Sequence, residues 1–138
     1  MIHIILRTLL FFLVFSGCKN DIKKPSHSSD ISVGVAHNLM LQQMGNQNFH
    51  IVDVRTLAEF NSGHIENAIH IDWQSNKAAL LELNPNHTIL LYCQSGRRSR
   101  KAMAYLNKKG FKYLHNLSGG VNSWLKKFNQ FSISPTNE

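Results

Sequence analysis

Thr88-Ile89-Leu90-Leu91-Tyr92-Cys93-Gln94-Ser95-Gly96-Arg97-Arg98-Ser99-Arg100-Lys101-Ala102-Met103-Ala104-Tyr105-Leu106 decides the architecture of this chain. The first five residues are a continuous run fit for a strand buried on both faces. Arg98 to Lys109 reads as a helix ended by Gly110, so Cys93 to Ser99 is a tight loop joining strand to helix. Such a loop turns backbone N–H groups and a helix N-terminus toward one sulfur, which favours thiolate over thiol and leaves room for an anion. Arg97 and Arg98 add fixed positive charge. The pattern is that of a cysteine nucleophile in an anion cradle, and it requires a sulfur that solvent can reach.

Outward from this unit, helical and extended stretches alternate. Val35 to Met44 is apolar near the helical period and stops at Gly45-Asn46; Phe49 to Val54 is a short β-branched strand. Thr56 to Phe60 makes one helical turn, with Thr56 and Glu59 spaced as a capping box. Ala68 to Ile71 is a strand, Lys77 to Leu83 a short helix stopped before Pro85, Phe111 to Asn116 a further strand, and Val121 to Phe128 a last helix after Gly119-Gly120. Strands separated by helical stretches predict an α/β fold: a central, mainly parallel sheet flanked by helices on both faces. Sites in such sheets lie at the carboxyl ends of strands, where Cys93 falls.

The ends of the chain differ from this middle. Residues 1–17 carry one charge, Arg7, then the apolar run Leu9 to Phe15 and the small residues Ser16 and Gly17. That run is too short to cross a bilayer, which takes about 20 apolar residues, and reads as a signal peptide. Phe15-Ser16-Gly17-Cys18 resembles the bacterial lipobox, with Phe15 where Leu is usual. The resemblance implies lipidation of Cys18, a membrane anchor, and a place in the cell envelope on a periplasmic or surface face. Residues 18–30 are polar and read as a tether, residues 31–128 as one domain, and residues 129–138 as a frayed polar tail.

The chain has 15 Lys and Arg against 8 Asp and Glu, a formal charge of +7. Its basic residues are scattered in pairs such as Lys23-Lys24, Lys108-Lys109 and Lys126-Lys127, with no basic stripe among aromatics, which argues against nucleic-acid binding. The histidines show no metal-ligand spacing, so neither a metal nor another cofactor is expected. With Cys18 lipidated, Cys93 is the one free thiol, a reactive group rather than a staple.

Three segments together resemble the rhodanese family across residues 31–128. Ile51-Val52-Asp53-Val54-Arg55, Glu59-Phe60 and Gly63-His64-Ile65-Glu66-Asn67-Ala68-Ile69-His70-Ile71 are similar to its first signature. Tyr92 to Ser99 is similar to its active-site loop, and Phe111 to Val121 with Trp124 to its closing segment. Asn67 stands where glycine is usual, and asparagine tolerates the left-handed backbone of such a turn.

The resemblance implies sulfur transfer by a monomer. Cys93 takes a sulfane sulfur from a small anionic donor such as thiosulfate, becomes a persulfide, and passes the sulfur to a thiol or cyanide acceptor. Gln94, Ser95, Gly96, Arg97, Arg98 and Ser99 are the expected substrate-binding residues: amides from Gln94 to Ser99 hold the sulfur, Gly96 permits the turn, and Ser99 caps the helix. An arginine would hold the sulfonate end of the donor; two successive side chains do not both face one pocket, so Arg98 is placed at the rim and Arg97 is left open. Asp53, Arg55, Glu59 and His64 are expected to tie turns together, Gly119 and Gly120 to serve backbone geometry, and Trp124 the core.

Three rival readings belong to the same loop. A cysteine phosphatase or arsenate reductase encloses a longer run between cysteine and arginine than Gln94-Ser95-Gly96-Arg97. A partner-binding module of the same fold would not need the cysteine. A thiol-based redox sensor would need only a low-pKa thiol that oxidants can reach.

Overall fold

The computed structural model describes residues 27–133. Five parallel strands, β1 (His27–Ile31), β2 (Phe49–Asp53), β3 (Ile69–His70), β4 (Thr88–Tyr92) and β5 (Tyr113–Leu117), form one sheet in the order β1-β5-β4-β2-β3. Four α-helices, α1 (Val33–Gln42), α2 (Leu57–Asn61), α3 (Arg97–Lys108) and α4 (Gly120–Phe128), and a 3₁₀ helix over Lys77–Glu82 make the connections. The central, mainly parallel sheet flanked by helices is the α/β arrangement read from the sequence.

The pleat of β4 sorts the core into two layers. Leu90 and Tyr92 point to one face, where they pack with Val33, Ala36 and Met40 of α1 and Val121 and Trp124 of α4. Ile89 and Leu91 point to the other, against Ala102 and Leu106 of α3 and Leu80 of the 3₁₀ helix. With both faces covered, an unbroken apolar strand is the expected solution, and Ile89, Leu90, Leu91 and Tyr92 are all fully buried. Cys93 continues the alternation on the α3 side.

Two boundaries need correction. Residues 27–30, expected to belong to a tether, are instead strand, because His27 to Ile31 pairs in register with Tyr113 to Leu117. A polar edge strand lacks the apolar alternation that reveals other strands. Contacts specific to Asp30 hold it: the Asn116 amide donates to its carboxylate at 2.6 Å, and Arg100 pairs with it at 2.9 Å. The tail expected to fray from residue 129 instead packs as far as Ile133. Ile133 joins the core, its amide donates to Glu66, and Phe131 lies against Gly63.

The expected signal peptide, the expected lipidation site Cys18, the first part of the expected tether and residues 134–138 lie outside the described residues. Among those described, no helix is long and apolar enough to cross a membrane.

Candidate active site at the end of β4

The loop that follows β4 closes around one atom. Gly96 takes a left-handed backbone (φ 85°), and the Gly96 amide turns back to donate to Cys93 Sγ at 3.1 Å. The Ser99 hydroxyl donates to the same sulfur at 3.4 Å. Ser99 was expected to cap α3, but the helix begins two residues earlier, with Gly96 at the cap position and no side chain capping it. Its buried hydroxyl serves the sulfur instead. Burial opposes ionisation of Cys93; the Ser99 hydroxyl and amide and the amides of Ser95 and Arg98 outweigh it, and the thiol pKa lies below its ordinary value.

The site is braced from behind by α4. The Val121 amide donates to the Cys93 carbonyl at 2.9 Å and the Asn122 amide to the Gln94 carbonyl at 3.1 Å. Donors left free at a helix start are therefore spent on the carbonyls of the loop, which fixes its path. Gly119 and Gly120 make this approach possible with left-handed backbones (φ 76° and 56°). A Cβ at Gly96 would press on the Gly119 amide nitrogen and the Leu117 carbonyl oxygen, both at 3.1 Å.

The remaining loop residues spread around this centre. Ser95 and Arg97 are exposed, while Gln94 and Arg98 are half-buried. Gln94 accepts from Arg55 Nη1 at 3.3 Å and donates from Nε2 to Asn122 at 2.6 Å. Arg98 spends both terminal nitrogens on Glu59, at 2.8 and 2.6 Å. It also lies close enough to Cys93 for the sulfur to help raise its pKa, after the larger effect of Glu59.

The sulfur itself is enclosed. Cys93 is 1 % exposed, which corrects the expectation of a sulfur open to solvent. The loop folds back over the atom it stabilises, so the donors that favour the thiolate also exclude water. Gln94, Ser95 and Arg98 carry partly or fully exposed surface of the loop, its rim, and a reacting molecule reaches the sulfur only if that loop gives way.

The polar residues ahead of the loop hold turns. Arg55 pairs with Asp53 at 2.6 Å, both buried, and donates to the Gly63 carbonyl at 2.7 Å. Thr56 and Glu59 form the capping box of α2. His64 Nδ1 bonds the Phe60 carbonyl at 3.1 Å, and Asn67 takes φ 61°. Two members of the site were not found from sequence. Glu59 meets Arg98 across 39 positions, and Asn122 meets Gln94 across 28, and no local spacing signals either contact. Among the described residues, no group of three or more His, Cys, Asp or Glu could hold a metal ion.

Parallel sheet, glycine-braced loop and terminal cysteine together define a protein class, and comparison with known proteins gives its family. Residues 37–127 match the rhodanese-like domain, and the chain belongs to that family. It is 34% identical to thiosulfate sulfurtransferase 16 of Arabidopsis thaliana over 71% of this chain and 88% of that protein. With the tRNA uridine(34) hydroxylase of Photorhabdus laumondii it shares 30% identity over 83% of this chain, but spans only 34% of the hydroxylase. Among solved structures, a rhodanese-like domain protein from Staphylococcus aureus matches with 30% identity and a TM-score of 0.59, over 70% of this chain and 90% of that one.

Proposed function

We propose that the protein is a sulfurtransferase that carries sulfur as a persulfide on Cys93. The observation that carries this reading is the convergence of the Gly96 amide and the Ser99 hydroxyl on one sulfur, whose pKa is lowered from its ordinary value, beside Arg98. In the first step the Cys93 thiolate attacks the outer sulfur of a thiosulfate-like donor. The S–S bond of the donor breaks, sulfite leaves with the electron pair, and a persulfide anion remains on Cys93. In the second step an acceptor such as cyanide attacks the outer persulfide sulfur, thiocyanate departs, and the thiolate returns. Amides fixed before the reaction stabilise the anionic sulfur in both steps. The enclosed sulfur adds a condition: the loop rim must yield to a donor whose sulfur projects from a small head.

The similarity to a protein named thiosulfate sulfurtransferase supports thiosulfate as a first donor to try. The test is thiocyanate formation from thiosulfate and cyanide, with mass spectrometry of Cys93 after donor alone. A mass gain of one sulfur, absent in Cys93→Ser, is expected. Turnover that survives the substitution removes Cys93 from the mechanism, oxidation without turnover favours a thiol sensor, and phosphatase turnover without thiocyanate favours the rival loop chemistry.

We place this activity at a bacterial membrane, held by lipid on Cys18, on the strength of the residues 1–18 pattern alone. Expression of the full chain in a bacterium should put it in the membrane fraction, and Cys18→Ala should release it. Equal fractionation of the two forms would refute the anchor.

A further inference from the structure

The geometry points to Glu59 as a positioning residue for the sulfur donor, acting through Arg98; this rests on the sulfur-transfer reading above. Glu59 belongs to α2 and has a local duty, since its carboxylate accepts from the Thr56 amide and hydroxyl, both at 2.9 Å. The same carboxylate takes the two terminal nitrogens of Arg98 end-on, Nη1 to Oε2 at 2.8 Å and Nη2 to Oε1 at 2.6 Å. A residue fixed by its own helix cap is a rigid anchor for a partner 39 positions away.

This pairing decides which edge of the guanidinium is available. An arginine has five N–H donors in a planar fork, and an end-on carboxylate engages one from each terminal nitrogen. The Nε–H edge and the outer hydrogens of the terminal nitrogens are left for other anionic groups, and Arg98 lies within hydrogen-bonding reach of the first of them, the Cys93 sulfur. Arg98 is half-buried at the rim and near the Cys93 sulfur. The unspent edge is therefore the one that can hold the sulfonate of a thiosulfate-class dianion while its outer sulfur meets Cys93. The sequence reading gave the donor the free fork of Arg98; in the structure that fork is occupied, and Glu59 fixes the orientation of what remains. Glu59 touches neither donor nor sulfur in this scheme.

The two half-reactions separate this role from a structural one. Loading requires an oriented sulfonate, whereas discharge of the persulfide to cyanide does not. Glu59→Gln keeps a side chain able to complete the capping box but removes the charge that grips Arg98. Loading by thiosulfate should slow about tenfold, the loss of one charge-assisted contact, chiefly through KM. Discharge to cyanide of the variant preloaded with excess donor should be unchanged. Thr56→Ala, which removes the hydroxyl contact to Glu59 but keeps its charge, should lower the melting temperature, and should slow loading less than Glu59→Gln does. In an Arg98→Lys background, Glu59→Gln should add little, because both changes undo one arrangement. Equal slowing of both half-reactions, an unchanged loading rate, or an undiminished effect of Glu59→Gln beside Arg98→Lys would overturn the assignment. Failure of the wild-type protein to load sulfur on Cys93 would instead remove the sulfur-transfer reading on which it stands.

Discussion

Gly120 lies directly against the carbonyl of Cys93, so close that a Cβ on the glycine would overlap the carbonyl oxygen. The next residue turns this proximity into a bond, because the Val121 amide donates to that same oxygen at 2.9 Å. The start of α4 and the reactive loop are thus one packed unit, although they are distant in sequence. Neighbours of an ordinary tight Cβ can shift, but here the obstruction is backbone.

Gly120→Ala is expected to cost at least about 2 kcal/mol of stability, from the backbone overlap together with the left-handed φ of 56°. The loop should open where the Val121 bond is lost, so loading of Cys93 should fall even in the fraction that remains folded. Urea unfolding combined with single-turnover loading measures both. A variant with wild-type midpoint and loading rate would show that the overlap relaxes freely.

The fold was legible because its apolar strands declare themselves. The Thr88 to Tyr92 run, the glycine stops and the Thr56–Glu59 capping box each appear where local chemistry puts them, with boundaries moved by a residue or two. Asn67 kept its place in a left-handed turn that glycine usually fills. What escaped was held by tertiary contacts. The polar strand His27–Ile31 exists because β5 offers it an edge, and Phe131 and Ile133 are ordered because Gly63 and Glu66 receive them. At the site, the sequence named the loop but not the residue that orients its arginine. It also gave no sign that the loop would bury its sulfur, since enclosure depends on how β4, α3 and α4 meet.

Ser99 should govern the pH at which Cys93 becomes reactive. Burial raises the thiol pKa, while the Ser99 hydroxyl, first among the opposing contacts, lowers it, and the net shift is downward. Ser99→Ala removes a donor that favours the charged form, so the pKa should rise. The rate of Cys93 modification by iodoacetamide as a function of pH gives the value. An unchanged profile would assign the thiolate to the amides alone, and a thiol unreactive in the wild-type protein well above neutrality would remove the nucleophile.

Acid should weaken the fold through Glu59. Hydrogen bonding to Arg98, opposed by burial and aided by Thr56, brings the Glu59 pKa to about 2 from an ordinary 4.5. A carboxyl with a depressed folded-state pKa contributes stability that is fully present above its unfolded value and is lost as pH falls through its folded one. The window therefore runs from 4.5 down to about 2. Melting temperatures followed across that range should fall more steeply for the wild-type protein than for Glu59→Gln, which has no proton to take up at this position. Parallel curves would mean that the pair contributes nothing to folding.

Arg55 should be worth more than the exposed ion pairs, because both it and Asp53 are buried, at 2 % and 0 % side-chain exposure. Arg55→Ala would leave the Asp53 carboxylate charged and uncompensated and deprive the Gly63 carbonyl of its donor, a loss of about 3–5 kcal/mol. The expense arises from the orphaned charge rather than from the attraction itself, so Arg55→Met combined with Asp53→Asn should recover part of it. Denaturant midpoints for the single and double variants decide the matter, with equal losses pointing to packing alone. Activity separates a further consequence, since Arg55 also donates to Gln94 at 3.3 Å. If that bond steadies the loop rim, the refolded double variant should regain stability yet load sulfur more slowly than the wild-type protein, and full recovery of both would show that Asn122 alone holds Gln94.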